Sequence, residues 1–402
     1  MRLMFYEPNY TGHHFAYLAR MLPGFRELPV EIVVATTPQA LESTEYAKTL
    51  APLAGSLQIT PICSPPPRSP LRNARHRFAE LVRAIGTIRP DHVMVCYADG
   101  IWDVACAHAL LGRRPWPREL VVEGWIYRGR FGDAVDRRLR SRLRRRLFRQ
   151  LLRQGLFRRL HIDHELLYDF ANPLAGGTPT ELVLTPNPIV LKPAVSKSDA
   201  RRQLGLPPDG TWISLNGVIA PYKGADLLLD AYRHYLKHED YPPARLLLAG
   251  PHSEGIRQLL RQSPYAELVA QARIVSLDRY VDENEMYASA AAADLVTAPY
   301  PRHQGRSSII LWAAAAGRPS LGTDASCIGH VIRQQRLGAT CAVTNPAVLA
   351  KAIAAMLESP WTEADAARVR SYAEFHRVEN YQRIASELVR QHFSKKQTGD
   401  FG

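Results

Sequence analysis

The chain has 402 residues, enough for two domains of ordinary size with a core each, and its 46% apolar and 22% charged content suit a soluble globular protein. No run reaches the roughly 18 apolar residues of a membrane span, and the polar opening MRLMFYEPNY is too short to read as a signal peptide. The formal charge of +13 is local: from Arg137 to Arg159 the chain carries eleven arginines and no acid, which leaves +2 for the remainder.

In chain order, the first half reads as strands RLMFY, VEIVVAT, LQITPI, HVMVCY and LVVEGW, with helices such as HFAYLARML and FAELVRAIGTI between them. The arginine stretch reads as an amphipathic helix, with Leu139, Leu143, Leu147 and Leu151 at four-residue spacing and Leu152, Leu156 and Phe157 continuing the stripe. HIDHE (His161, Asp163, His164, Glu165) has the residue types of metal ligands but is better explained as a strand end and a helix start. ELVLTPNP is a further strand ending in a turn. The second half repeats the scheme with TWISLNG, ARLLLAG, RIVSLD, DLVTAPY, PSLGT and TCAVT as strands. Its helices include ADLLLDAYRHYLKH, ENEMYASAAAA and NPAVLAKAIAAMLES, and a last helix, NYQRIASELVRQHF, can cross back to the first domain.

Short apolar strands alternating with helices predict α/β architecture: parallel sheets covered on both faces, arranged as two doubly wound domains facing each other. The expected boundaries are residues 1–190 for the first domain, with a returning helix near 376–402, and 205–375 for the second. Five cysteines (Cys63, Cys96, Cys106, Cys327 and Cys341) form no C-x-x-C pair. An odd, scattered set argues for a reducing compartment and against a disulfide scaffold or a zinc site.

Ligands of open parallel sheets bind at the carboxyl ends of the strands. In SLNGVIAPYKGADLLLDAY a strand ends at Asn216-Gly217, and Lys223-Gly224 opens the next helix, so the ammonium and the free helix amides are placed for a phosphate. The plainer reading is a solvated loop lysine. Beyond DLVTAPY, the loop PRHQG leads to the helix SSIILWAAAA. Ser307 or Ser308 can cap it, and Arg302 and Arg306 flank it, which makes an anion site or, more plainly, a capped helix with two solvated arginines. In the first half, Asp99 and Glu123 end strands beside glycines and are candidates to hydrogen-bond an acceptor. Capping and turn formation explain them equally well. His13 and His14 follow Gly12 in the first β–α loop, where one of them can face a ligand.

Four stretches resemble the GT-B fold glycosyltransferases, most closely the retaining family-4 group, also called group 1: YEPNYTGHHFAYLARML, NGVIAPYKGADLLLDAY, RIVSLDRYVDENEMYASAAAADLVTAPY and QGRSSIILWAAAAGRPSLGTDASCIGHVIRQQRLGATCAV. The resemblance implies two Rossmann-like domains facing across a cleft, an acceptor domain followed by a nucleotide-sugar donor domain. It implies transfer of a sugar, with retention, from a nucleotide diphosphate sugar to a glycan or lipid-linked acceptor in surface polysaccharide or glycoconjugate synthesis. No cofactor or metal is implied, and no D-x-D motif is present. Carried over by position, the donor side comprises Gly12, Asn216, Gly217, Lys223, Arg279, Gln304, Gly305, Arg306, Ser307, Ser308 and Trp312. Lys223, Arg306 and Asp99 are the catalytic candidates, and His13, His14, Asp99 and Glu123 form the acceptor side.

The departures are specific. The family has two glutamates eight positions apart, the first on the transferred sugar and the second on the ribose; here they are Gln304 and Trp312. The family's arginine after Gly217 is Val218, and Arg306 or Arg302 is the replacement cation. An inert relative that binds a nucleotide sugar or a glycan as a scaffold is therefore the alternative, and an epimerase of similar architecture is a third reading. For the arginine segment, packing with a solvated basic face and contact with an anionic membrane are both expected. Nucleic acid is not expected, since only Phe148 and Phe157 supply aromatics there. The implied location is cytoplasmic, peripheral on the inner face of the membrane.

Overall fold

The computed structural model of the chain describes residues 1–10, 14–61, 69–129, 139–302, 305 and 307–398. It divides into two compact units: Met1–Pro188 together with Val378–Gly402, and Ile189–Arg377.

The first unit is built on strands β1 (Arg2–Tyr6), β2 (Glu31–Thr36), β3 (Gln58–Pro61), β4 (His92–Val95), β5 (Val121–Ile126), β6 (Arg159–Ile162) and β7 (Glu181–Leu184), in the order β3-β2-β1-β4-β5-β6-β7. The second holds β8 (Thr211–Asn216), β9 (Ala244–Ala249), β10 (Ile274–Leu277), β11 (Leu295–Ala298), β12 (Ser320–Thr323) and β13 (Gly338–Cys341), in the order β10-β9-β8-β11-β12-β13. Every ladder is parallel. Parallel strands need crossovers, and the helices that provide them cover both faces, so the strands are apolar nearly throughout. In both units the order reverses beside the first strand, between β1 and β4 and between β8 and β11. The loops leaving those neighbouring strands run to opposite faces and open a crevice at their carboxyl ends.

Alternation along each strand of the first unit sends side chains to two cores. Val93, Val95, Val122 and Ile126 join the cluster that includes Trp102, Phe148 and Phe157. Met94, Cys96 and Trp125 join Phe15, Leu18 and Phe25 on the other face, which Tyr381, Ala385 and Val389 of the helix Val378–Thr398 complete. The final helix is thus part of the first unit's core.

Three local readings change. β6 ends within HIDHE as expected but begins inside the arginine run: Leu160 and Ile162 are core residues, while Arg159 is only 3% exposed and pairs with Glu181 and Glu387. Arg159 therefore belongs to the sheet and not to the basic face. In the helix Leu139–Gln154 the stripe packs through Leu147, Leu151 and Leu152, joined by Phe148 and continued by Leu156 and Phe157, whereas Leu143 is 56% exposed and the Leu139 side chain lies outside the described residues. β13 begins at Gly338, earlier than TCAVT suggested.

The Tyr381 hydroxyl is buried with no hydrogen-bond partner among the described residues. A buried hydroxyl of this kind is a cost, so Tyr381→Phe is expected to leave stability unchanged or to raise it by up to about 1 kcal/mol in urea unfolding. A clear loss would reveal a partner for the hydroxyl.

Candidate functional site

In the second unit the crevice is made by close backbone approach. Gly250 has φ +134°, and a Cβ there would stand 2.0 Å from the Gly217 carbonyl oxygen. Gly224 has φ +73°, and a Cβ there would stand 2.0 Å from the Pro299 carbonyl oxygen. Only glycine fits either place, on both torsion and contact grounds. The second contact draws the loop after β8 against the loop after β11.

Lys223 sits at that junction. Its Nζ lies 3.0 Å from where a Gly217 Cβ would be, and 5.5 Å from the centroid of the Tyr300 ring. The side chain is partly buried, and among the described residues it has neither an ion pair nor a hydrogen-bond acceptor. Burial pushes the ammonium pKa down, since nothing there offsets the lost hydration. Ser307 is the N-cap residue of the helix Ser308–Ala315, yet its hydroxyl makes no capping bond; it donates to the Tyr300 hydroxyl at 3.2 Å. The expected serine cap is absent, and no side chain among the described residues caps those amides. Asn216 is fully buried: its Nδ2 donates to Ser214 Oγ, and its Oδ1 has no partner among the described residues. One cation, one uncapped helix end and one orphaned amide oxygen thus lie on or beside adjacent loops.

Other donor-side candidates fall elsewhere. Arg279 is exposed and forms a bidentate pair with Glu285, 2.8 Å from Nη1 and 2.5 Å from Nη2, so its charge is matched locally. Trp312 is buried in the core of its helix, Ser308 and Arg302 are exposed, and Gly305 is partly exposed. Gly12, His13, Gln304 and Arg306 lie outside the described residues. Tyr300 was read only as a strand end; its signal was its place directly beyond β11.

In the first unit, Asp99 and Glu123 are internal. Asp99 accepts from the backbone N–H groups of Tyr127 (2.7 Å), Arg128 (3.3 Å) and Gly129 (3.0 Å), so it anchors the loop after β5. Glu123 is fully buried on the sheet face covered by the final helix. It accepts from His92 Nε2 at 2.7 Å and His161 Nε2 at 2.8 Å. Burial pushes this carboxyl up, but the bonds from His161 and His92 outweigh it and bring it to about 2. His161 is pushed down by its own burial. A neutral His161 with a proton on Nε2 serves Glu123 and leaves Nδ1 to accept from Thr185 Oγ1 at 3.0 Å, while Trp125 stacks on its ring at 3.9 Å. His92 Nδ1 in turn meets His392 Nδ1 of the final helix at 3.3 Å. The acceptor reading of Glu123 is therefore corrected: it is a structural anion joining β4, β5 and β6. His164 accepts from the Leu167 N–H and caps the following helix.

His14 does face a polar space. Its Nδ1 is 3.1 Å from Oε2 of the buried Glu7, whose Oε1 accepts from the Asn9 N–H and Nδ2, and its ring meets Tyr97 edge-on at 5.2 Å. A cavity of about 280 Å³ lies there, lined by Asn9, His14, Asn73, Arg77, Tyr97 and Gly100 among others.

Two doubly wound parallel sheets, each with a crevice at its point of strand reversal, define a two-unit Rossmann-like α/β protein. Residues 211–359, which make up most of the second unit, match the family described as glycosyl transferases group 1. D-inositol 3-phosphate glycosyltransferase 2 of Catenulispora acidiphila is 28% identical over 173 residues, 42% of this chain and 40% of that one. The chain thus spans less than half the length of this curated relative. Among solved structures, Anabaena Alr3699/HepE in complex with UDP aligns with TM-score 0.64 at 15% identity, covering 97% of this chain and all of that one. Sucrose-phosphate synthase from Thermosynechococcus elongatus gives 0.66 at 14%, covering 98% and 99%. These likenesses are ones of fold.

Glu123→Gln places an amide donor against one imidazole N–H and is expected to cost roughly 1–3 kcal/mol in urea unfolding at neutral pH. The folded-state pKa lies below the usual carboxyl value, so the wild-type contribution is present above about 4.5 and fades as pH falls towards about 2. The difference between the two proteins should shrink over that window.

Proposed function

We propose that the chain transfers a sugar from a nucleotide diphosphate sugar to a glycan or lipid-linked acceptor, with retention, in surface polysaccharide or glycoconjugate synthesis. The single observation that carries this reading is Lys223, a partly buried cation without an acid, set beside a glycine in the crevice of the second unit. Its natural counter-ion is a phosphate. The likeness to a protein crystallised with UDP supports a nucleotide donor.

In this mechanism the difficult step is loss of the nucleotide diphosphate, on which negative charge develops as the glycosidic bond breaks. Lys223 and the uncapped amides of the helix Ser308–Ala315 are fixed before the reaction, so they stabilise that charge without reorganising. These groups take the electrostatic role a metal ion fills elsewhere, and no cofactor is proposed. Retention rests on the family resemblance: the departing phosphate removes the acceptor proton on the same face.

We also propose that the basic helix meets an anionic lipid surface at the inner face of the membrane. Arg142, Arg144, Arg146, Arg149 and Arg153 are exposed, and Leu143 stands out of the same helix. Among the described residues no helix is long and apolar enough to cross a membrane.

Lys223→Met is expected to weaken UDP binding by roughly 10–100-fold in calorimetry, the value of a charge-assisted bond. The wild-type ammonium pKa is lowered, and a bound diphosphate raises it. Binding at alkaline pH should therefore take up protons, seen as a dependence of heat on buffer, and should weaken as pH rises through the lowered pKa. Lys223→Met should abolish the uptake. For the lipid surface, Arg142→Glu with Arg146→Glu should reduce sedimentation with phosphatidylglycerol vesicles by about tenfold or more and leave phosphatidylcholine unaffected. Equal binding of wild type to both lipids would remove the electrostatic contact.

A further inference from the structure

The crevice of the first unit has a chemistry of its own. It lies where the order of the sheet reverses, between β1 and β4, so two diverging loops line it. Asn9 and His14 come from the segment after β1, and Tyr97 and Gly100 from the segment after β4. Asn73 and Arg77 come from the first turns of the helix Pro70–Ile88. At about 280 Å³ the cavity falls just below the ~300–1,000 Å³ of sites for drug-sized ligands, which suits a single small ring.

Arg77 sets its polarity. Its Nε donates to Asn73 Oδ1 at 2.7 Å, and its carbonyl is held by the Tyr6 hydroxyl at 2.7 Å. Among the described residues its guanidinium has no ion pair. A Cβ on Gly100 would stand 3.4 Å from both Cδ and Nη1 of Arg77, so the bare glycine leaves the guanidinium room to lie over the loop after β4. Glu7 is the acid that the lining side chains touch, and its two oxygens are taken by Asn9 and His14. Asn73 spends its oxygen on Arg77 and keeps its amide hydrogens for a ligand. Among the described residues the cavity therefore offers one unmatched cation and several hydrogen-bonding groups, and no carboxylate lines it. A neutral sugar would leave the guanidinium unmatched, whereas an anion gains a planar, bidentate partner.

We propose that this cavity seats the acceptor and that the acceptor carries a negative charge, a phosphate ester or a carboxylate, held by Arg77. The proposal rests on the transferase reading above. Asn73 and Asn9 meet the hydroxyls of the same ring. Asp99 and Glu123 are excluded from this role because both carboxylates are engaged within the fold.

The test is calorimetric binding of glucose 6-phosphate, glucuronate and glucose to the full chain, with UDP saturating so that the donor crevice is filled. Glucose 6-phosphate or glucuronate should bind at least tenfold more tightly than glucose. Arg77→Gln should erase that preference, and Arg77→Lys should restore part of it. Unchanged UDP affinity and circular dichroism would show that both variants fold. Dihexanoyl phosphatidylinositol, compared with dihexanoyl phosphatidylcholine, distinguishes a lipid headgroup from a free sugar anion. Tighter binding of the inositol lipid, or of a free anion, supports the proposal and names the source. Equal binding of glucose and both anions, no binding of any anion, or an anion affinity that Arg77→Gln leaves unchanged overturns it. Failure of UDP to bind would count against the transferase reading alone. The same comparison in Lys223→Met without UDP would then still decide the anion cavity.

Discussion

A parallel sheet whose strand order reverses must leave a gap where two neighbouring strands send their chains to opposite faces. Both units are organised around such a gap, beside β1 in one and beside β8 in the other. In the second unit the gap is narrow because the backbone of one loop is pressed against another. Gly250 lies against Gly217, and Gly224 lies against Pro299, at separations that no side chain allows. This contact brings Lys223 under the Tyr300 ring and within reach of the helix whose amides the Ser307 hydroxyl leaves uncapped.

The two units handle buried charge in opposite ways. In the first, the acids are internal and satisfied. Glu7 is held by Asn9 and His14, Asp99 by three backbone amides, and Glu123 by two imidazoles. Each ties one segment to another, and the chain His392–His92–Glu123–His161–Thr185 links the final helix to the centre of the sheet. In the second unit the crevice keeps a cation that nothing in the described fold neutralises. Arg77 plays the same part in the first. Burial without a partner costs free energy at Lys223, and Arg77 is half-buried, so the proposals above place an anionic ligand at each of the two reversal points.

The excess charge of the chain has a divided role. Part of it projects from the helix Leu139–Gln154, whose Phe148, Leu151 and Leu152 hold it to the core while Arg142, Arg144, Arg146, Arg149 and Arg153 are exposed. Arg159, counted with that run in the sequence, instead spans β6, β7 and the final helix through Glu181 and Glu387.

The sequence by itself determined the alternation of strands and helices, the two parallel sheets and the positions of Lys223 and Gly224 at the opening of a helix. These follow from local periodicity and from residues with restricted backbone choices, which a short window displays. It showed the end of β6 at HIDHE but not its start, because Arg158 and Arg159 read as the tail of the basic run. Nor did it separate Asp99 and Glu123, which read alike as strand ends beside a glycine, from residues that face a ligand; Glu123 in fact lies inside β5 and Asp99 in the turn beyond β4. Only the tertiary structure decided that Glu123 sits between His92 and His161, that the Ser307 hydroxyl turns to Tyr300, and that Arg77 joins Asn9 and Tyr97. The physical reason is that a polar side chain takes its role from its partner. Here the partners come from separate strands and loops, brought together by sheet order and not by nearness along the chain.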